Sequence, residues 1–338
     1  MFIRRASMKI TTRDVVASWL IALTALLAAH VSAQQPDASE FLSERGMPYS
    51  AFDRLPHTSI SVGGATLQLG IAPGALALSP ERLRIWVEHS ANVVSHFYGY
   101  FPVTSARILI VPVNGNGVRG GTTWAYRGAA IRLLIGSNAN ENDLENDWMI
   151  VHEMVHLALP DMDERHRWLS EGLATYIEPI ARVQSHDLTE SMIWSAMARD
   201  MQKGLPATSD RGLNNTPTWG RTYWGGALFC LVADVQIRQQ TGNRFGLQDA
   251  LRGVLAGGGN HETDWPVDRI FDVADKAVGT TVLAKLYAQM GEKPFAPDLA
   301  KLWRDLGVTL QPNGNVVFDD NAPLAAIRKA ITQGNTAN

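Results

Sequence analysis

Hydrophobic and polar positions change their rhythm near residue 144. Before it, short alternating runs dominate. The stretch "TSISVGGATLQLG" (58–70) alternates apolar and polar residues around Gly63-Gly64, which predicts a β-hairpin. Two apolar runs, "ARILIVPV" (106–113) and "AAIRLLIG" (129–136), predict further strands joined by the glycine-rich connection "NGNGVRGGTTWAYRG", a surface loop or the rim of a cleft. Between hairpin and strands, Ser79-Pro80 opens a helix whose Leu83, Trp86, Val87, Ala91, Val94 and Phe97 recur at helical spacing. His89 and His96 fall off that stripe, at the surface. From Leu144 the spacing predicts helices over 144–159, 169–178, 187–203, 223–241, 246–256, 266–278, 280–290 and 322–332. Strands followed by helices predict an α+β fold: a β-rich part over 34–143 packed on the first helix of a helical part over 144–338.

The first 33 residues stand apart. Arg4, Arg5, Lys9 and Arg13 precede the apolar "VVASWLIALTALLAAH" and a small-residue end at Ala33, the pattern of a secretory signal peptide. Met8 is an alternative start that leaves this pattern intact. The chain is expected to be exported, periplasmic or secreted, with no stable membrane insertion after cleavage. A net charge of −3, more acidic once the basic leader is removed, argues against a nucleic-acid partner. Cys230 is the only cysteine, so no internal disulfide forms; in "GGALFCLVADV" it reads as a buried small hydrophobe.

Candidate chemistry sits in "VHEMVHLALP" (151–160). His152 and His156 lie one helical turn apart beside an apolar stripe of Leu144, Trp148, Val151, Val155 and Ala158. Two imidazoles at that spacing can close on one zinc ion, with Glu153 beside them to take a proton from water. A catalytic zinc takes three protein ligands, and the third must come from elsewhere. A second histidine-rich motif does not supply it, because Leu159 and Met162 occupy the positions it would need. The next candidate is "RWLSEGLATYIEP" (167–179), where Ser170 reads as a helix cap, Pro179 as the end, and Glu171, Thr175 and Glu178 share a face.

"HEMVH" followed by "WLSEGLATYIE" resembles the gluzincin zinc metallopeptidases of the aminopeptidase N type. "TYWGGALFCLVADVQIRQQTG" (222–242) extends the resemblance and is closer to the glycyl aminopeptidases; together the match covers roughly 145–310. The resemblance implies a zincin, thermolysin-like catalytic domain with one Zn2+ held by His152, His156 and Glu171, Glu153 as general base on zinc-activated water, and Tyr223 as oxyanion donor. It implies a peptide or protein substrate. Departures are specific: the 14-residue spacer before Glu171 is shorter than usual, Gly225 replaces a lysine, and no G-x-M-E-N segment precedes the zinc helix. That segment holds a substrate's free amine in aminopeptidase N, so exopeptidase action is not implied.

Other residues are read more plainly. Glu178 either orients a ligand histidine or faces solvent, and Trp124 and Tyr126 either line a cleft or pack. Asp161, Asp163 and Glu164 solvate the turn after the zinc helix, while His57, His166, His186 and His261 carry no assignment. The alternative functions are a zinc hydrolase of a non-peptide or cell-envelope amide and a catalytically silent envelope binding protein.

Overall fold

The structure is a computed structural model describing residues 38–42 and 46–334; the expected leader over 1–33 lies outside them. The alternation around Gly63-Gly64 builds a hairpin of β1 (His57–Val62) and β2 (Ala65–Ile71), with Ile60, Val62, Leu67 and Leu69 buried. Helix α1 (Pro80–Tyr98) starts where the Ser79 side chain accepts the Arg82 amide, and Gly99 ends it at φ 89°. Strand β3 (Ser105–Val113) lies parallel to β2, and β5 (Ala130–Gly136) lies parallel to β3.

The glycine-rich connection is itself a strand. β4 (Val118–Trp124) pairs antiparallel with β5, giving the order β1-β2-β3-β5-β4 and leaving β4 at the edge. Glycine has a low strand preference, so the sequence read as loop; pairing with β5 overrides it, with a register slip between Val118 and Gly120.

The helix expected over 144–159 is two helices. α2 (Glu141–Glu145) ends at Asn146, and α3 (Met149–His156) begins where Asp147 Oδ2 accepts the Ile150 amide at 3.1 Å. α4 (Arg167–Gln184) does not stop at Pro179 but runs through it. One ladder bond is lost there, while Ile180, Ala181 and Val183 continue the buried stripe.

α5 (Glu190–Asp200) is shorter than predicted, since Thr189 rather than an earlier residue accepts the Met192 amide. A π-helical turn (Gly220–Gly225) leads into α6 (Gly226–Gln240), followed by α7 (Leu247–Ala256), α8 (Val267–Val278) and α9 (Val282–Met290). α10 (Leu299–Leu306) and the hairpin β6 (Val308–Leu310) and β7 (Val316–Phe318) were not anticipated; α11 (Ala325–Gln333) closes the chain.

The architecture is mixed α+β, a small sheet before a helical region. One hydrophobic core runs from Ile108 and Leu133 of the sheet through Met154 and Val155 of α3 to Trp168, Leu173 and Phe229. Phe41 and Phe52 cover the sheet's other face at Leu109 and Val111. Among the described residues, no helix is long and apolar enough to cross a membrane.

Candidate metal centre and cleft

Two helices bring the candidate ligands together. His152 and His156 stack one turn apart on α3, ring centroids 4.9 Å apart, and Glu171 reaches them from the first turns of α4. Glu171 Oε2 lies 3.4 Å from His152 Nε2 and 3.6 Å from His156 Nε2. Ligands about 2.0–2.1 Å from a tetrahedral zinc are separated by roughly 3.4 Å, which the two carboxylate–imidazole distances match. Among the described residues, this is the group of His, Cys, Asp and Glu that converges, its ligand atoms all within 4.8 Å of one another.

Neighbours orient the trio. His156 Nδ1 lies 2.9 Å from Ser170 Oγ; with Nδ1–H donating to that oxygen, Nε2 is the atom left to face Glu171 and would turn its lone pair to an ion bound between them. Ser170 therefore does not cap α4, which starts at Arg167. Glu171 Oε1 accepts from Arg167 Nε at 3.3 Å and Nη2 at 3.2 Å. Burial would push the Glu171 carboxyl up, but hydrogen bonds to His152 and His156 and their charges outweigh it and hold the group well below the usual carboxylate range. Burial likewise opposes the charged form of His156, yet its bond to Glu171 and the charges of Glu153 and Glu171 raise it.

Glu153 is buried beside the trio but outside it. Thr123 of β4 places its Oγ1 2.7 Å from Glu153 Oε2 and 2.9 Å from the Glu153 carbonyl oxygen. The strand can approach this closely because residue 121 is glycine; a Cβ there would fall 2.6 Å from Glu153 Cγ.

Tyr223 borders the same cleft. It sits in the π-helical turn, and its phenol is raised by burial and by the charge of Glu171, with Arg167 opposing. Buried Arg221 anchors that turn through an ion pair from Nε to Asp210 Oδ2 at 2.7 Å and a hydrogen bond to the Gly204 carbonyl. The turn also meets α4 at close range: a Cβ on Gly172 would lie 2.2 Å from Gly226 Cα. Glu171 and Tyr223 are thus both tied to one helix crossing.

The cleft, a cavity of about 680 Å³, has β4 with Trp124 and Tyr126 as one wall, α3 as floor, and Asp161, Asp163 and Glu164 on the opposite rim, outside the converging group. Sequence reasoning missed Thr123, Ser170 as a histidine partner, Arg167 and His261. His261 also lines the cleft, its backbone N–H bonded to the Leu157 carbonyl at 3.1 Å. His166 instead packs in the interior, Nε2 3.0 Å from Tyr287 Oη. Glu178 neither orients a ligand histidine nor faces solvent: it is buried and accepts from Arg182 Nη1 at 2.9 Å. Cys230 is buried, its thiol pushed up by burial.

No family model matches the sequence, and comparison with curated proteins found no match. Solved structures are similar. An aminopeptidase N family protein from Idiomarina loihiensis superposes with a TM-score of 0.54 and 16% identity, over 76% of this chain and 50% of that one. An M1 zinc metallopeptidase from Deinococcus radiodurans gives a TM-score of 0.49 and 19% identity, over 72% of this chain and 52% of that one. The chain thus spans about half the length of these structures. Over the aligned part, its fold is similar to that of the aminopeptidase N family protein.

Proposed function

We propose that the chain is an exported zinc-dependent metallopeptidase in which His152, His156 and Glu171 hold one zinc ion, Glu153 is the general base and Tyr223 the oxyanion donor. The convergence of two imidazole nitrogens and one carboxylate oxygen within 4.8 Å, beside a separately held carboxylate, carries this reading. A zinc ion at that position supplies Lewis-acid activation of water and of the scissile carbonyl. Glu153 accepts a proton from the attacking water and returns it to the leaving amine nitrogen. Tyr223, its phenol raised and so protonated at neutral pH, donates to the carbonyl oxygen as negative charge gathers there. The outer edge of β4 offers backbone groups with which a peptide can pair.

Export rests on the pattern of residues 1–33, and signal cleavage after Ala33 is part of the proposal. Zinc content of residues 34–338, wild type against Glu171→Ala, tests the centre, with a mixed peptide library reporting hydrolysis. About one zinc per chain, weakened by Glu171→Ala, with cleavage abolished by a chelator, supports the reading. Absence of zinc under metal-replete conditions sinks it and leaves the silent binding protein.

A further inference from the structure

The cleft does not end at Tyr223. A second concavity of about 490 Å³ adjoins it, and the two share Glu164, Arg167 and Tyr223 as lining residues. Beyond Tyr223 this second hollow is walled by Leu213, Asn214 and Pro217, with Trp219 at its lip. Trp219 is 62% exposed, its ring 6.1 Å from that of Tyr223. Tyr126, which lines the first hollow and not the second, is also 62% exposed, although its ring stands edge-on to Tyr49 and its hydroxyl donates to the Met47 carbonyl. Half-exposed aromatics in two adjoining hollows are surfaces that a chain lying across both would cover.

Recognition of a chain terminus needs a fixed, uncommitted counter-charge close to the centre. The β4 wall, Gly120 to Tyr126 along the cleft, carries no carboxylate. The carboxylates of the other rim, Asp161, Asp163 and Glu164, are all exposed to water, Asp161 Oδ1 accepting the Met162 amide and Glu164 facing Arg167. The two guanidiniums of the second hollow are engaged as well, Arg167 with Glu171 and Arg165 with Glu292. Among the described lining residues, no buried charged side chain other than Glu153 and the trio is left to hold a terminal ammonium or carboxylate away from water.

Resting on the zinc-peptidase reading, we propose that the substrate is a polypeptide cut at an internal bond, its chain running along β4, across the His152/His156/Glu171 centre, past Tyr223 and onto Trp219.

One peptide sequence made at lengths from two to eight residues, with free ends and with acetylated and amidated ends, tests this. Eight extended residues span about 26 Å. The expected result is cleavage of the blocked octapeptide at an internal bond, within about threefold of the free-ended peptide, with kcat/KM rising with length. Trp219→Ala should collapse that length dependence, lowering kcat/KM for the octapeptide about tenfold through KM. Binding of the same peptides to Glu153→Gln gives a second readout, tighter for the octapeptide by a similar factor. Hydrolysis confined to a free end, or a length dependence untouched by Trp219→Ala in both readouts, overturns the inference alone. Zinc-loaded protein that hydrolyses no peptide of any length overturns the peptidase reading, and this inference with it.

Discussion

Thr123 Oγ1 stands 2.7 Å from Glu153 Oε2 across the gap between the edge strand and α3, joining residues 30 apart in sequence. A hydroxyl donating to a carboxylate fixes the rotamer of the proposed base and leaves its other oxygen for water. A hydrogen bond to a charged group contributes about 1.5–3 kcal/mol. Thr123→Val should therefore lower kcat about tenfold or more with KM and zinc content little changed, and Thr123→Ser should recover most of it. Equal kcat in Thr123→Val and wild type would remove Thr123 from the machinery.

Tyr223→Phe removes the proposed oxyanion donor and little volume. Loss of one such donor costs roughly 10²–10³ in kcat. Steady-state kinetics on a cleaved peptide should show that drop at nearly constant KM, with zinc retained. An unchanged kcat would leave Tyr223 a packing residue beside Trp219.

What was legible in the chain was what helical spacing encodes. His152 and His156 face the same way because four residues make one turn, and Glu171 falls in a short amphipathic segment soon after, so their convergence could be expected from local pattern. Thr123 could not, because its partner is set by how β4 lies along α3, and glycine-rich β4 lacks the β-branched alternation that marks a strand. Pro179 misled for a related reason: it is a strong local stop, yet burial of Ile180 and Ala181 outweighs one missing hydrogen bond. His261 reaches the cleft on a loop held by backbone bonds to Leu157 and Asp161, contacts with no local signature.

Glu178 makes stability depend on pH. Burial pushes its carboxyl from 4.5 up to about 7, with Arg182 opposing and Asp147 adding to the rise. Buried beside Arg182 and near the charge of half-buried Asp147, Glu178 holds a proton more readily when folded than when unfolded. The folded pKa being the higher one, this contribution is fully present below about pH 4.5 and is lost as pH rises through about 7. Urea unfolding at about pH 5 and about pH 8 should show wild type losing on the order of 1–3 kcal/mol more than Glu178→Gln over that interval. Parallel losses in the two proteins would refute the linkage.

Gly172→Ala probes the crossing of α4 with α6. The added Cβ would meet the backbone of Gly226, not a flexible side chain, so the helices must separate. Overpacking of this kind costs about 1–3 kcal/mol. Because Glu171 is the preceding residue, zinc should dissociate faster as well, measurable with a chromophoric chelator. Lost stability with unaltered zinc release would show that the crossing does not set the ligand's position.

The π-helical turn at Gly220–Gly225 bears on how the gene can change. Each residue of an α-helix advances the chain by about 100°, whereas this turn bonds across a longer interval and lets Tyr223 and the buried face of α6 hold separate registers. Removing one codon here would swing the phenol by roughly a quarter turn relative to Phe229 and Asp234, whereas many single-base changes would leave the register alone. Between Arg221 and Gly226 length matters as much as composition: Arg221 holds Asp210, Gly226 lies too close to the Trp168 carbonyl to carry a Cβ, and a one-residue gap would misplace both together with Tyr223.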